Sequence, residues 1–188
     1  MNKQMEKDIY FMRFAKLASE ITKCLSRPIG AVLVKDNHII ATGYNGPSSG
    51  LMHCGCRRDD GSYPPLYDTM GRLNKNQEEI SDECPRRRMG FKSGEGMEHC
   101  PAVHAETNTI CQAARMGIAT EGATLYCYCN IPCTDCTKEI INAGIKEIVC
   151  LGYKESRPWV TLKATDMFAQ AKVKIRTISK EIWNCVRS

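Results

Sequence analysis

Two short motifs in this chain must meet in space: His104-Ala105-Glu106 and Pro132-Cys133-Thr134-Asp135-Cys136. Each opens a predicted helix. The first runs from Val103 to Gly117, with Gly117 as its stop, and the second from Cys133 to Ala143, ending at Gly144. His104, Cys133 and Cys136 offer one imidazole and two thiols. A catalytic zinc takes three protein ligands and keeps one position open for water. At a helix N-terminus the dipole favours thiolate, the form that binds metal. The two-residue gap between Cys133 and Cys136 lets both sulfurs reach one ion from a single turn, and Pro132 suits the entry to that helix. Glu106, two positions after His104, can reach the open position without being a ligand. A C-x-x-C alone would fit a structural zinc ribbon. The flanking proline and an H-x-E on a separate helix favour a catalytic site with its own acid/base.

The rest of the chain alternates strands and helices. Residues near Lys3 to Cys24 carry Ile9, Met12, Phe14, Leu17 and Ile21 at helical spacing. Ile29 to Val34 and His38 to Gly43 read as strands joined by a turn at Lys35-Asp36-Asn37. Gly43-Tyr44-Asn45-Gly46-Pro47 reads as a loop. Strands are also expected at Ala123–Tyr128, Lys146–Leu151 and Val173–Ile178, with a helix at Trp159–Ala169. The pattern points to a single α/β domain, a sandwich around a mixed sheet. From about Ser48 to Cys100 the periodicity fails. So long an irregular stretch is expected only as an insertion that something fixes, such as a metal.

With 188 residues the chain can build a proper core. It has no long uninterrupted apolar run, so no membrane span is expected. The N-terminal stretch lacks the apolar core of a signal peptide, which points to the cytoplasm. Twelve cysteines then read as metal ligands and buried thiols rather than disulfides. A net charge of +5 suits an anionic partner such as a nucleotide and is too small to argue for duplex DNA.

The H-x-E and P-C-x-x-C pair is the signature of zinc-dependent nucleobase deaminases. In such an enzyme Glu106 would move protons between water, the ring nitrogen and the leaving ammonia, with no organic cofactor. Val103-His104-Ala105-Glu106-Thr107-Asn108, Pro132 to Cys136 and Gly43 to Pro47 together resemble the deoxycytidylate deaminase family, within the zinc-dependent cytidine deaminase superfamily. Asn142-Ala143-Gly144-Ile145-Lys146 adds a weaker match. The resemblance implies a cytidine deaminase-like fold with a central five-stranded sheet flanked by helices, often in a homo-hexamer. It implies conversion of dCMP to dUMP, feeding thymidylate synthesis, and dCTP and dTTP as allosteric effectors. Asn45 would contact the substrate sugar, Ala105 would offer its backbone N–H to the base carbonyl, and Tyr153 would close over the substrate. Asn45 also fits a plain turn residue, and Tyr153 a packing residue. The stretch from Tyr126 to Pro132 looks one residue longer than the commoner family form, and the insertion also departs from it. A dCTP or bifunctional dCMP/dCTP deaminase is therefore an alternative. A polynucleotide deaminase acting on tRNA or single-stranded DNA is a further one. It ranks lower, because aromatics are only 7% of the chain and no basic stripe is evident.

Some members of the family hold a structural zinc with ligands from the end of the first helix and from the insertion. The corresponding set here is Cys24, Cys54, His99 and Cys100, with Cys56 or His53 as substitutes. Free thiols and surface histidines are the competing reading. Arg86-Arg87-Arg88 fits either a phosphate clamp or a solvated charge run, with the second slightly favoured.

Overall fold

The computed structural model describes residues 2–51, 53–54, 83–92, 94–152 and 158–186. Their elements are α1 (Lys3–Ser19), β1 (Gly30–Lys35), β2 (His38–Tyr44), β3 (Gly46–Pro47), α2 (Pro85–Arg88), β4 (Ala102–Val103), α3 (Ala105–Arg115), β5 (Thr124–Cys127), α4 (Thr134–Asn142), β6 (Glu147–Gly152), α5 (Pro158–Gln170), β7 (Lys174–Ser179) and α6 (Lys180–Cys185). Contacts group them into two compact units. One comprises Met1–Thr22, Ile29–Asn45 and His104–Ser188; the other comprises Lys23–Pro28 and Gly46–Val103.

The first unit holds a five-stranded sheet in the order β2-β1-β5-β6-β7. β1 runs antiparallel to β2 and β5, while β5, β6 and β7 are parallel. This is the expected mixed sheet. Alternate residues of each strand face opposite ways, and two cores follow. Ala31, Leu33, Leu125, Cys127, Ile148 and Cys150 pack with α3, α4 and Phe168 of α5. Val32, Val34, Tyr126, Val149, Leu151 and Ile178 pack with Ile9, Phe11, Met12 and Ala15 of α1 and with Trp183 of α6. The β1–β2 turn is tight because Asp36 and Asn37 both adopt positive φ, 50° and 62°, as a two-residue hairpin requires.

The burial of α1 differs from the expectation. Leu17 and Ile21 are 59% and 61% exposed, whereas Phe11, Ala15 and Ser19 are buried. Gly30 explains the choice. A Cβ there would meet the Ala15 carbonyl and, at 2.5 Å, the Ser19 amide. The sheet approaches α1 so closely that the helix turns its small residues inward, and it ends at Ser19 rather than near Cys24.

A polar cluster is buried under α1. Arg176 Nη2 lies 2.9 Å from Asp8 Oδ1, and Nη1 lies 2.5 Å from Glu147 Oε1. The Tyr126 hydroxyl donates to Asp8 at 3.1 Å. Arg176→Met should leave the buried Asp8 carboxylate without its cation, while Glu147 keeps Lys174 at 3.3 Å, and cost about 3 kcal/mol. Urea denaturation checks this; a loss below about 1 kcal/mol would mean the cluster behaves like an exposed pair.

In the second unit, β3 and β4 pair antiparallel, Gly46 with Val103 and Pro47 with Ala102. Among the described residues no helix is long and apolar enough to cross a membrane.

Candidate active site

The site is built on two helix starts. His104 is the N-cap of α3 and Cys133 the N-cap of α4; both have extended backbone, and neither side chain caps its own helix. The side chains turn to each other instead. His104 Nδ1 stands 3.2 Å from Cys136 Sγ and 3.4 Å from Cys133 Sγ, and the three donor atoms all lie within 4.8 Å of one another. Nitrogen and sulfur bound to one tetrahedral zinc sit roughly 3.5 Å apart, so the donor set and its spacing both fit that ion.

The sheet fixes both helices. Gly43 of β2 has no side chain, and α3 lies against it: a Cβ there would reach Thr109 N at 2.5 Å and Ala105 O at 2.6 Å. Farther along α3, Gln112 Oε1 accepts from the Thr42 amide at 2.6 Å, and Asn108 Nδ2 donates to Tyr44 O at 2.7 Å. The segment leading to α4 is held by Tyr128 N–H on Gly30 O and by Leu151 N–H on Cys129 O, both 2.8 Å.

Hydrogen bonding sets the charges of the cluster. A hydrogen bond from Cys136, then one from His104, brings the Cys133 thiol down to about 4. The hydrogen bond to Cys133 raises the His104 imidazole to about 9 against the effect of burial. Cys136 is pushed up, first by its hydrogen bond to Cys133 and then by burial. Glu106 is 4% exposed. Burial raises its carboxyl above the ordinary range, partly offset by its own backbone amide and by the charge of His104. A carboxyl held in a dry site within the influence of His104 and Cys133 suits general acid–base work.

The other expected residues distribute differently. Ala105 is fully buried at the first position of α3, where backbone N–H groups have no partner within the helix. Asn45 is buried, and its Oδ1 accepts from the Ile29 amide at 2.9 Å and from the Thr22 hydroxyl at 3.0 Å. At least that atom serves the entry to β1. Tyr153 and Cys56 lie outside the described residues. Cys24, Cys54, His99 and Cys100 belong to no group of close donors among the described residues; the His99 ring stacks on Phe91 at 5.5 Å. Arg86 and Arg87 are neither a solvated run nor a visible clamp. Arg86 is 7% exposed and donates to Glu95 O, and Arg87 donates to Phe91 O, so both tie their own loop. Sequence reasoning passed over Cys129, whose thiol reaches Glu106 Oε1 at 3.8 Å. It also passed over Thr107, between Cys136 and Glu139.

An α/β sandwich that gathers one imidazole and two thiols on two helix starts, with a buried glutamate beside them, defines a class: the zinc-dependent deaminases, hydrolases that replace an amine with water. Residues 5–152 match the cytidine and deoxycytidylate deaminase zinc-binding region, and the chain belongs to that family. The deoxycytidylate deaminase of Schizosaccharomyces pombe (strain 972 / ATCC 24843) is 34% identical over 142 residues; the match covers 76% of this chain and 36% of that protein. The chain thus spans about a third of that relative's length. The deoxycytidylate deaminase of Enterobacteria phage T2 is 32% identical over 187 residues, and the match covers 92% of both chains. In fold the chain is similar to the crystal structure of the dCMP deaminase from cyanophage S-TIM5 in complex with dCMP and dUMP, with a TM-score of 0.60 and 23% identity over 95% of this chain and 99% of that one.

Proposed function

We propose that this protein deaminates dCMP to dUMP and ammonia, supplying dUMP for thymidylate synthesis. The observation that carries the reading is the cluster of His104, Cys133 and Cys136 beside buried Glu106. The near full-length similarity to the phage T2 deoxycytidylate deaminase supplies the substrate.

His104, Cys133 and Cys136 would hold the zinc. Bound there, zinc supplies a Lewis acid that lowers the pKa of its water to about 7. Glu106 takes the two protons of the attacking water in turn, passing the first to the ring nitrogen as the C–O bond forms and the second to the leaving amine as the C–N bond breaks. Burial keeps competing water away from the carboxylate and ready to hold a proton between these steps. The Ala105 N–H at the start of α3 holds the base carbonyl and fixes which carbon faces Glu106. The Asn45 carboxamide contacts the sugar, and Tyr153 closes over the nucleotide.

Finer features extend the proposal. The subunits assemble as a hexamer in the cytoplasm, and dCTP and dTTP act as allosteric effectors. A second zinc is drawn by Cys24, Cys54, His99 and Cys100, which all fall in one compact unit; metal analysis should then give two zinc ions per chain, and one ion would remove that site.

The test of substrate is ammonia release with dCMP, dCTP, deoxycytidine and dAMP in parallel. Turnover of dCMP above the others is expected. Preference for dCTP would mean that the phosphate pocket is rebuilt, and turnover of none would point to a polynucleotide.

A further inference from the structure

The first turn of α3 carries two polar side chains that the proposed reaction does not use: Asn108, which holds Tyr44 O, and Thr107. Thr107 follows Glu106, and its Oγ1 donates to Glu139 Oε2 of α4 at 2.5 Å. The same oxygen stands 3.7 Å from Cys136 Sγ. A hydroxyl has one proton, so carboxylate and sulfur compete for it.

The geometry points to Thr107 as a positioning residue for the metal: its hydroxyl donates to Cys136 Sγ when zinc is held, and Glu139 competes with the sulfur for that proton. This rests on the zinc reading of His104, Cys133 and Cys136. The exchange of partners is cheap, because Glu139 is exposed and water can replace the hydroxyl at its carboxylate. A metal-bound thiolate has no such recourse, since Cys136 is 2% exposed. Groups that hydrogen-bond to metal ligands orient them and tune the charge they give the ion, and their loss costs about 10–100-fold in metal affinity or activity. Glu139 lies one turn after Cys136 on the same helix. The competing carboxylate is thereby fixed beside the sulfur, and the Thr107 hydroxyl sits in contact with both.

The experiment measures zinc affinity of the whole chain by competition with a chromogenic chelator, and the thiolate-to-metal absorption band after replacing zinc with Co2+. Thr107→Val should bind zinc about tenfold more weakly and shift the Co2+ band, while Thr107→Ser should restore both. Glu139→Gln should bind no more weakly than the parent, because its neutral amide leaves the hydroxyl proton to the sulfur. A Thr107→Val protein that holds zinc as tightly as the parent, with an unmoved Co2+ band, overturns the inference. So does a Glu139→Gln protein weaker than the parent, since the pair would then be only a tie between α3 and α4. The parent and His104→Ala calibrate the reading beneath: if neither binds zinc, the metal site itself fails.

Discussion

Glu106→Gln should lower kcat for dCMP by about a thousandfold while zinc content stays at the parental level. Glutamine has the same shape and can still accept from the Cys129 thiol, which reaches Oε1 at 3.8 Å. It can neither take a proton from water nor deliver one to the ring. His104, Cys133 and Cys136 contact each other without it, so metal and nucleotide should bind as before and KM should change little. The same substitution has a second effect of opposite sign. Burial raises the Glu106 carboxyl above the ordinary carboxylate range. A carboxyl raised on folding contributes stability below its unfolded pKa and loses it as pH rises through the folded one. In protein stripped of metal by a chelator, Glu106→Gln should therefore raise Tm at pH 7, and the gain should shrink toward zero below about pH 4. Calorimetry across that range checks it. Loss of zinc in the variant, or a parental kcat, would remove Glu106 from the proton-transfer role.

Gly43→Ala is expected to lower activity strongly, because the added methyl group falls against the first turns of α3. The new Cβ would meet the Thr109 hydroxyl, Thr109 N at 2.5 Å and Ala105 O at 2.6 Å. Two of these are helix backbone and do not swing aside. Overpacking of this kind costs about 1–3 kcal/mol. The functional loss should be larger, because the turn being pushed carries Ala105, Glu106 and Thr107. A displacement of about 1 Å at reacting groups costs about a hundredfold. Activity should thus fall at least that far in a protein that still folds, and circular dichroism with a kcat measurement separates the two losses. A folded Gly43→Ala protein with parental kcat would mean that α3 yields without moving Glu106.

The parts of the fold that were legible in the sequence are those fixed by local chemistry. Asp36 and Asn37 tolerate the left-handed backbone that their hairpin demands, and Gly117 and Gly144 stop their helices with φ of 67° and 72°. The buried strands read as apolar runs, and the three clustered soft ligands were named by their spacing. What was not legible depends on tertiary approach. α1 is apolar on two sides, and only the contact of Gly30 with Ala15 and Ser19 decides which side is buried. α6 went unread because it follows β7 with no intervening loop, although Ser179 caps it by accepting from Ile182 N. Arg86 carries a charge and is nonetheless buried on a loop carbonyl. Thr107 and Glu139 sit on different helices, and no periodicity could pair them.

On the proposed function, dCMP turnover needs one zinc on His104, Cys133 and Cys136. This requirement is tested by stripping the protein of metal and following dCMP loss, dUMP and ammonia as zinc is returned. No turnover is expected without metal, and dUMP and ammonia should appear in equal amounts once zinc occupies that cluster, with His104→Ala silent throughout. Turnover that survives complete removal of zinc, or a fully loaded cluster that leaves dCMP untouched, would contradict it.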